Sequence, residues 1–403
     1  MRFYITGGWG YGNRGDNAIF EATRQSLTDQ FPGHSLAVSS FSVDEVRSQH
    51  ALDSIPSVHR FLTKKSPLAL LRWSGVVLWK MTRAKFFLSP ALRRHLQEMR
   101  DADVVIMAGG GYFNDAWLDM LFSRFVEIEL AHASGSPMVI IGQTLGPFGR
   151  DWTTRMLGHS LRKVRAIAHR DVQSLDVLRR AEVPAAKCTL SADEVNLLRV
   201  RKAASPRSGA ALRIGVMVQI FRPHLGAAGP SPAGRIASSE QYIAAISEAL
   251  EQCLGRHPSL ELHFIPSTTW DEPTCRLVFE RLKGKADAHF HVGPHTTEFI
   301  DLCQGVDVML STNMHPIILA TTAGKGSVAI SYHYKLDDYM KSIDQGKNVV
   351  RIDDFSSAEL AALLDEEIKS AGTKKVDNTG VQTLARENIK AVQRALVPAR
   401  SRT

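Results

Sequence analysis

The side chains of this chain that could do chemistry fall in short clusters, each starting where an apolar run stops. His315 follows the run Asp307–Leu310 and precedes Pro316, so its imidazole is placed as a general acid or base. Lys335 follows the run Ser327–Ser331, and Arg170 ends the run Arg165–His169; both suit phosphate or carboxylate recognition. Asn313 stands two residues before His315. After the first apolar run comes a loop with Gly8, Gly10, Gly12 and Gly15, interleaved with Asn13 and Asp16 and leading into a helical pattern. Backbone N–H groups in such a loop can cradle an anion at the positive end of a helix. It matches neither GxGxxG followed by a ribose-binding acid nor a phosphate loop ending in Lys-Ser/Thr. A purely structural turn, with Asp16 capping a helix from Asn17, fits the pattern equally well. Gly109, Gly110 and Gly111 permit close backbone approach, for a ligand or for packing. Gln143 opens a further cluster running through Gly146 and Pro147.

The elements that must carry these clusters alternate along the chain. Strands are predicted at 2–6, 35–39, 103–107, 137–142 and 165–169, with helices at 17–30, 116–133, 153–163 and 172–180. A second series follows, with strands at 213–220, 261–266, 288–292, 307–310, 327–331 and 349–352. Its helix at 240–254 presents Ile243, Ile246, Leu250 and Leu254 as one buried stripe. Alternation of this kind implies an α/β fold of two Rossmann-like, doubly wound parallel-sheet domains. Ligands bind such sheets outside the carboxyl ends of the strands, where the clusters fall. Two edges facing one cleft would make a GT-B-like arrangement. The expected domains are 1–202, with a basic amphipathic insert at about 60–100, and 212–372. A Ser/Ala/Gly linker spans 203–211, and 373–403 forms a C-terminal helix with a disordered tail after Pro398.

Composition narrows the function. With 403 residues and 44% apolar content the chain can build two cores. A formal charge of +8 favours acidic ligands. Nucleic acid is not expected, because the basic residues are scattered and no helix-turn-helix, finger or RNP pattern occurs. Cys188, Cys253, Cys275 and Cys303 form no CxxC pair and read as reduced, buried thiols. His289 and His291 would share a strand face with His295 nearby, but no acidic partner is evident, so no metal is expected. The N-terminus lacks the pattern of a secretory signal, so a cytoplasmic protein is expected. The greasy stretch 67–81, broken by Arg72, is too short to span a bilayer. Around it Arg60, Lys64, Lys65, Lys80, Arg83, Lys85, Arg93 and Arg94 mix with Leu, Trp and Phe. That insert is either a helical pair covering the sheet or a surface that rests on an anionic membrane.

Taken in order, Gly12-Asn13-x-Gly15-Asp16-x-Ala18-Ile19, Gly109-Gly110-Gly111, Gly142-Gln143-x-x-Gly146-Pro147, Arg170-Asp171-x-x-Ser174, Ala192-Asp193, and His315 followed by Lys335 resemble the polysaccharide pyruvyl transferase family. The likeness spans about 1–353 and leaves out the insert. It implies a GT-B-like fold and transfer of a pyruvyl group from phosphoenolpyruvate to two hydroxyls of a sugar, giving a ketal without metal or organic cofactor. The resemblance places His315, Arg170 and Lys335 in catalysis. Gly12, Asn13, Gly15, Asp16, Gly110, Gly111, Gln143 and Asn313 are the expected substrate-binding positions. One departure stands out: the family commonly has Arg in an Arg-x-His pattern where this chain has Asn313, and Arg222 or Lys325 could supply the missing cation. The acceptor could be a lipid-linked saccharide, a nucleotide sugar or a finished polymer. The rival readings are a nucleotide-sugar glycosyltransferase and a non-catalytic glycan- or phosphate-binding relative. Oligomeric state is not legible in the sequence.

Overall fold

The computed structural model describes residues 1–10, 12–63, 68–200, 211–222, 234–293 and 295–397. The predicted linker up to residue 210, Lys64, Lys65 and the tail from Pro398 lie outside the described residues.

Two parallel sheets organise the chain. The first holds β1 (Arg2–Thr6), β2 (Ser35–Ser40), β3 (Ser54–Pro56), β4 (Val104–Met107), β5 (Gly110–Phe113), β6 (Met138–Leu145), β7 (Ala166–His169) and β8 (Cys188–Leu190). Their order is β3-β2-β1-β4-β6-β7-β8, with β5 added alongside β6. The second holds β9 (Arg213–Met217), β10 (Glu261–Phe264), β11 (Asp287–Phe290), β12 (Val308–Ser311), β13 (Gly326–Ser331) and β14 (Val349–Arg351), ordered β11-β10-β9-β12-β13-β14. Each order reverses once, between β1 and β4 and between β9 and β12, the switch points where doubly wound sheets bind ligands. The α/β class of two parallel-sheet domains is therefore as expected.

Both faces of the first sheet are covered, which explains its near-continuous apolar strands. Tyr4, Val105, Met107 and Ile140 point into one core, and Phe3, Ile5, Ile106 and Ile141 into the other. The second core includes Ile389, Val392 and Ala395 of the helix Thr379–Leu396. In the second sheet the predicted stripe Ile243, Ile246, Leu250 and Leu254 is buried, on a helix Ser239–Arg256 capped by Ser238.

By contacts the chain divides into a first unit, Met1–Tyr11, Ile19–Glu194 and Thr383–Thr403, and a second, Gly12–Ala18 and Val195–Gln382. These bounds differ from the sequence boundaries in three places: the first domain, expected to reach 202, gives way to the second unit at Val195, and Gly12–Ala18 and the C-terminal helix also sort differently. Gly12–Ala18 goes with the second unit because Arg14 is tied there: its N–H reaches the Ser267 carbonyl at 2.9 Å and its guanidinium reaches the Pro266 carbonyl at 2.8 Å and Glu272 at 3.1 Å. The C-terminal helix goes with the first unit because its apolar face completes that core.

Several elements depart from expectation. β3 and β8 are three-residue strands, too short for an alternation signal, and β3 ends in proline. The glycine run expected as a loop is strand β5, paired with β6 at Gly110↔Gln143 and Phe113↔Leu145. β6 continues three residues past Gly142, so Gln143 and Thr144 lie within a strand. β9 ends at Met217 rather than 220. The insert forms the helices Ala69–Thr82 and Pro90–Arg100, whose Val76, Trp79, Leu92 and Leu96 enter the core. Among the described residues no helix is long and apolar enough to cross a membrane.

Candidate active site

The second unit brings most of the expected residues together. The helix Arg14–Gln30 is capped by Asn13, not Asp16: Asn13 Oδ1 accepts from the N–H groups of Gly15 (3.0 Å) and Asp16 (3.3 Å). Asp16 is therefore the third helical residue, and its carboxylate accepts from the Asn13 amide at 2.8 Å. The sequence placed the helix start at Asn17 because the glycine there reads as a breaker, whereas an Asn cap tolerates it. Gly12, with φ +82°, makes the turn into this cap. Asn13 also bridges to Thr268 past the end of β10.

Two strand exits face this segment within the same unit. Past β10, Thr268 Oγ1 donates to Asp271 at 2.6 Å, and Asn313 Nδ2 donates to the same carboxylate oxygen at 3.3 Å. Burial pushes the Asp271 carboxyl up, opposed by those hydrogen bonds and by the Arg222 charge. Past β12, His315 is the second residue of the helix Met314–Thr322, and its ring lies against Gly15. Gln219 N–H donates to Thr312 Oγ1 at 2.8 Å across the β9/β12 switch point. Asn13, Thr268, Asp271, Asn313, His315 and Gly15 thus form one connected group.

Lys335 arrives at the same sheet edge by a repeated device. Ser311 ends β12 and donates its hydroxyl to the Asn313 carbonyl at 2.8 Å; Ser331 ends β13 and donates to the His333 carbonyl at 3.2 Å. In each case a helix starts three residues after the serine, and its second residue is His315 or Lys335. His333 caps the second helix by accepting the Lys335 N–H at 3.3 Å, and its ring also lies tilted against Tyr334 at 4.3 Å. β12 and β13 are neighbours, so two helix N-termini and two nitrogen side chains serve one edge. An anion suits that edge through the two helix dipoles.

The candidate replacements for the family arginine separate. Lys325 precedes β13 and pairs with Asp307, which precedes β12, at 3.0 Å. It therefore lies at the opposite edge of the sheet and cannot stand in. Arg222 follows β9 and is close enough to act on Asp271.

In the first unit, the Arg170 side chain is largely covered at the exit of β7. Its Nε donates to Thr144 Oγ1 at 3.0 Å, and its guanidinium is ion-paired with Asp193. Gln143 is fully buried, and its amide donates to the Ala108 carbonyl and Tyr112 Oη. Gly110 and Gly8 are both covered by the Tyr112 ring: a Cβ at either would come within 2.6 Å of it. Gly111 lies beside them in β5. Gly8 and Gly110 thus have a packing role, carried by a tyrosine that the sequence did not single out. Also missed were Arg124 and Glu127, wholly buried, paired at 2.6 Å, and joined by Thr6 at 3.1 Å. Glu194 was missed too; burial pushes its carboxyl up to about 8 while Thr23 donates to it at 2.6 Å.

The histidines of the second sheet do have acidic neighbours, contrary to expectation. Glu261, His263 and His289 place one ligand atom each within 4.8 Å of one another, and Asp287 lies 3.0 Å from His289. Strand pairing His263↔His289 joins them, a contact invisible in local spacing. Arg213 holds Glu261 at 3.1 Å and His291 holds His263 at 3.1 Å, so both groups already have partners.

Fold and site together define a doubly wound α/β protein with an anion-suited strand edge and a histidine at its switch point. The chain belongs to the polysaccharide pyruvyl transferase family, whose model matches residues 13–334. It is 25% identical over 382 residues to the amylovoran biosynthesis protein AmsJ of Erwinia amylovora, covering 85% of this chain and 86% of that protein. Among solved structures it is similar in fold to HepE of Anabaena in complex with UDP (TM-score 0.55, 13% identity, 98% and 97% of the two chains). It is likewise similar to UDP-GlcNAc 2-epimerase from Neisseria meningitidis (TM-score 0.59, 11% identity, 98% and 100%).

Proposed function

We propose that the chain transfers the pyruvyl group of phosphoenolpyruvate to two hydroxyls of a sugar in an exopolysaccharide or its lipid-linked precursor. The observation that carries this reading is His315 seated on Gly15 at the switch point, with Lys335 at the neighbouring helix N-terminus. Protonation of the donor's methylene carbon by the His315 imidazolium makes its C2 electrophilic, and the first sugar hydroxyl bonds there. The C2–O bond to phosphate then breaks, and that hydroxyl's proton leaves with the phosphate as hydrogen phosphate. The second hydroxyl closes the ring and returns its proton to His315, so one diol and one phosphoenolpyruvate give one ketal and one phosphate. Lys335 and the two helix N-termini stabilise the departing phosphate. Family membership and a relative in amylovoran biosynthesis support the acceptor class. Arg170 is engaged by Asp193, and the reaction above uses only residues of the second unit.

The test is phosphate release from phosphoenolpyruvate with a panel of lipid-linked and free saccharides. The reading expects acceptor-dependent phosphate that His315→Ala reduces by about 10²-fold or more. Turnover unchanged in that variant removes His315 from the mechanism. Turnover of UDP-sugars instead favours a glycosyltransferase, as the ligand of HepE would suggest. Binding of phosphoenolpyruvate without turnover favours a non-catalytic relative.

A further inference from the structure

The helix Ala69–Thr82 carries apolar residues on both sides. Its inner side, with Val76 and Trp79, enters the core of the first unit, and Trp73 Nε1 donates to the Leu62 carbonyl at 2.9 Å. Its outer side exposes Leu70 (85%), Leu71 (70%), Val77 (54%), Leu78 (42%) and Met81 (77%). At about 100° per residue these five fall within one arc of roughly 120°, in which Ser74 is the only polar residue. Phe86, 72% exposed, extends the patch. It sits on a short turn held against the helix, because the Phe87 carbonyl fills the space a side chain at Gly75 would need. A contiguous exposed patch of this kind marks an interaction surface.

Charge identifies the partner. From Ser54 to Gln97 the sequence has nine Lys and Arg and no Asp or Glu, although the whole chain has 41 acidic residues. Arg83 and Lys85 are exposed next to the apolar arc, while Lys80 is paired with Glu129 at 3.0 Å. A second copy would be a poor partner, since a two-fold interface sets the same patch against itself and opposes like charges. Hydrocarbon flanked by anionic headgroups matches both halves of the surface. We propose that this helix and the Phe86 turn dock the enzyme on an anionic bilayer, lying in its interface rather than crossing it. The inference stands apart from the reaction assigned above and is tested without turnover.

The experiment sediments the full chain with vesicles of phosphatidylcholine mixed with phosphatidylglycerol, and with phosphatidylcholine alone. Binding is expected to the anionic vesicles and to weaken at high salt. The exposed triple substitution Leu70→Gln, Val77→Gln, Met81→Gln should reduce it about tenfold or more at an unchanged melting temperature. Arg83→Glu with Lys85→Glu should reduce it by about fivefold per cation or more. No binding to anionic vesicles, or binding that both variants leave intact, overturns the proposal. So does a concentration-dependent dimer that the triple substitution abolishes.

Discussion

The imidazole of His315 occupies the space a side chain at Gly15 would take: a Cβ there would lie 2.7 Å from its Cγ and nearer still to Nδ1. Gly15 is helical, and alanine at an ordinary helical glycine stabilises by about 1 kcal/mol. Here the opposite sign is expected. Gly15→Ala should destabilise by about 1–3 kcal/mol, because the ring or the helix start must move. Turnover should fall with it, since the displaced group is the proposed proton carrier. Denaturant melts and phosphate release check both effects; a stabilised, fully active variant would mean the ring does not rest there.

Arg170 and Asp193 form an ion pair in which both side chains are under a tenth exposed. Removing one partner strands a buried charge, so Arg170→Met should cost about 3–5 kcal/mol. Combining it with Asp193→Leu should recover most of that loss, read from urea midpoints. A single substitution costing under about 1 kcal/mol would show a solvated pair and leave the arginine available to a ligand.

Much of this was legible in the sequence, and the exceptions share one cause. The main strands, the buried stripe of Ser239–Arg256, and the placing of His315 and Lys335 at strand exits follow from local periodicity. Glycine spacing could not distinguish a ligand loop from glycines lying under Tyr112, because that ring belongs to β5 and covers Gly8 from about a hundred residues away. The helix Thr379–Leu396 sorts with the first unit through contacts with β-strand residues more than two hundred positions earlier. Lys325 looked equivalent to Arg222 until the sheet put them at opposite edges. The matching Ser311 and Ser331 braces are a local signal that spacing could have revealed.

Glu194 gives stability a pH dependence of known sign. Burial raises its carboxyl from 4.5 to about 8, so between those values the folded protein holds a proton that the unfolded chain has released. Its stability contribution is complete below about pH 4.5 and is lost as pH rises through about 8. Glu194→Gln keeps an acceptor for Thr23 and removes the titration. The variant should match the wild type near pH 5 and exceed it above pH 8, by on the order of 3 kcal/mol. Denaturant melts across that range decide it, and parallel pH profiles would place the titration elsewhere.

Lys335 occupies the second position of the helix Tyr334–Ser342, where a positive charge opposes the helix dipole. Without ligand, Lys335→Met should therefore leave stability unchanged or raise it by a few tenths of a kcal/mol. With donor present the effect should reverse, because phosphate charge is what the lysine is placed to meet. If it stabilises the departing phosphate, charge grows on that group in the transition state, and kcat should fall by about 10²-fold along with weaker donor binding. Lys335→Arg should restore part of the loss by keeping the charge with a different shape. A rise in KM alone would confine Lys335 to ground-state binding, and unchanged kinetics would remove it from the site.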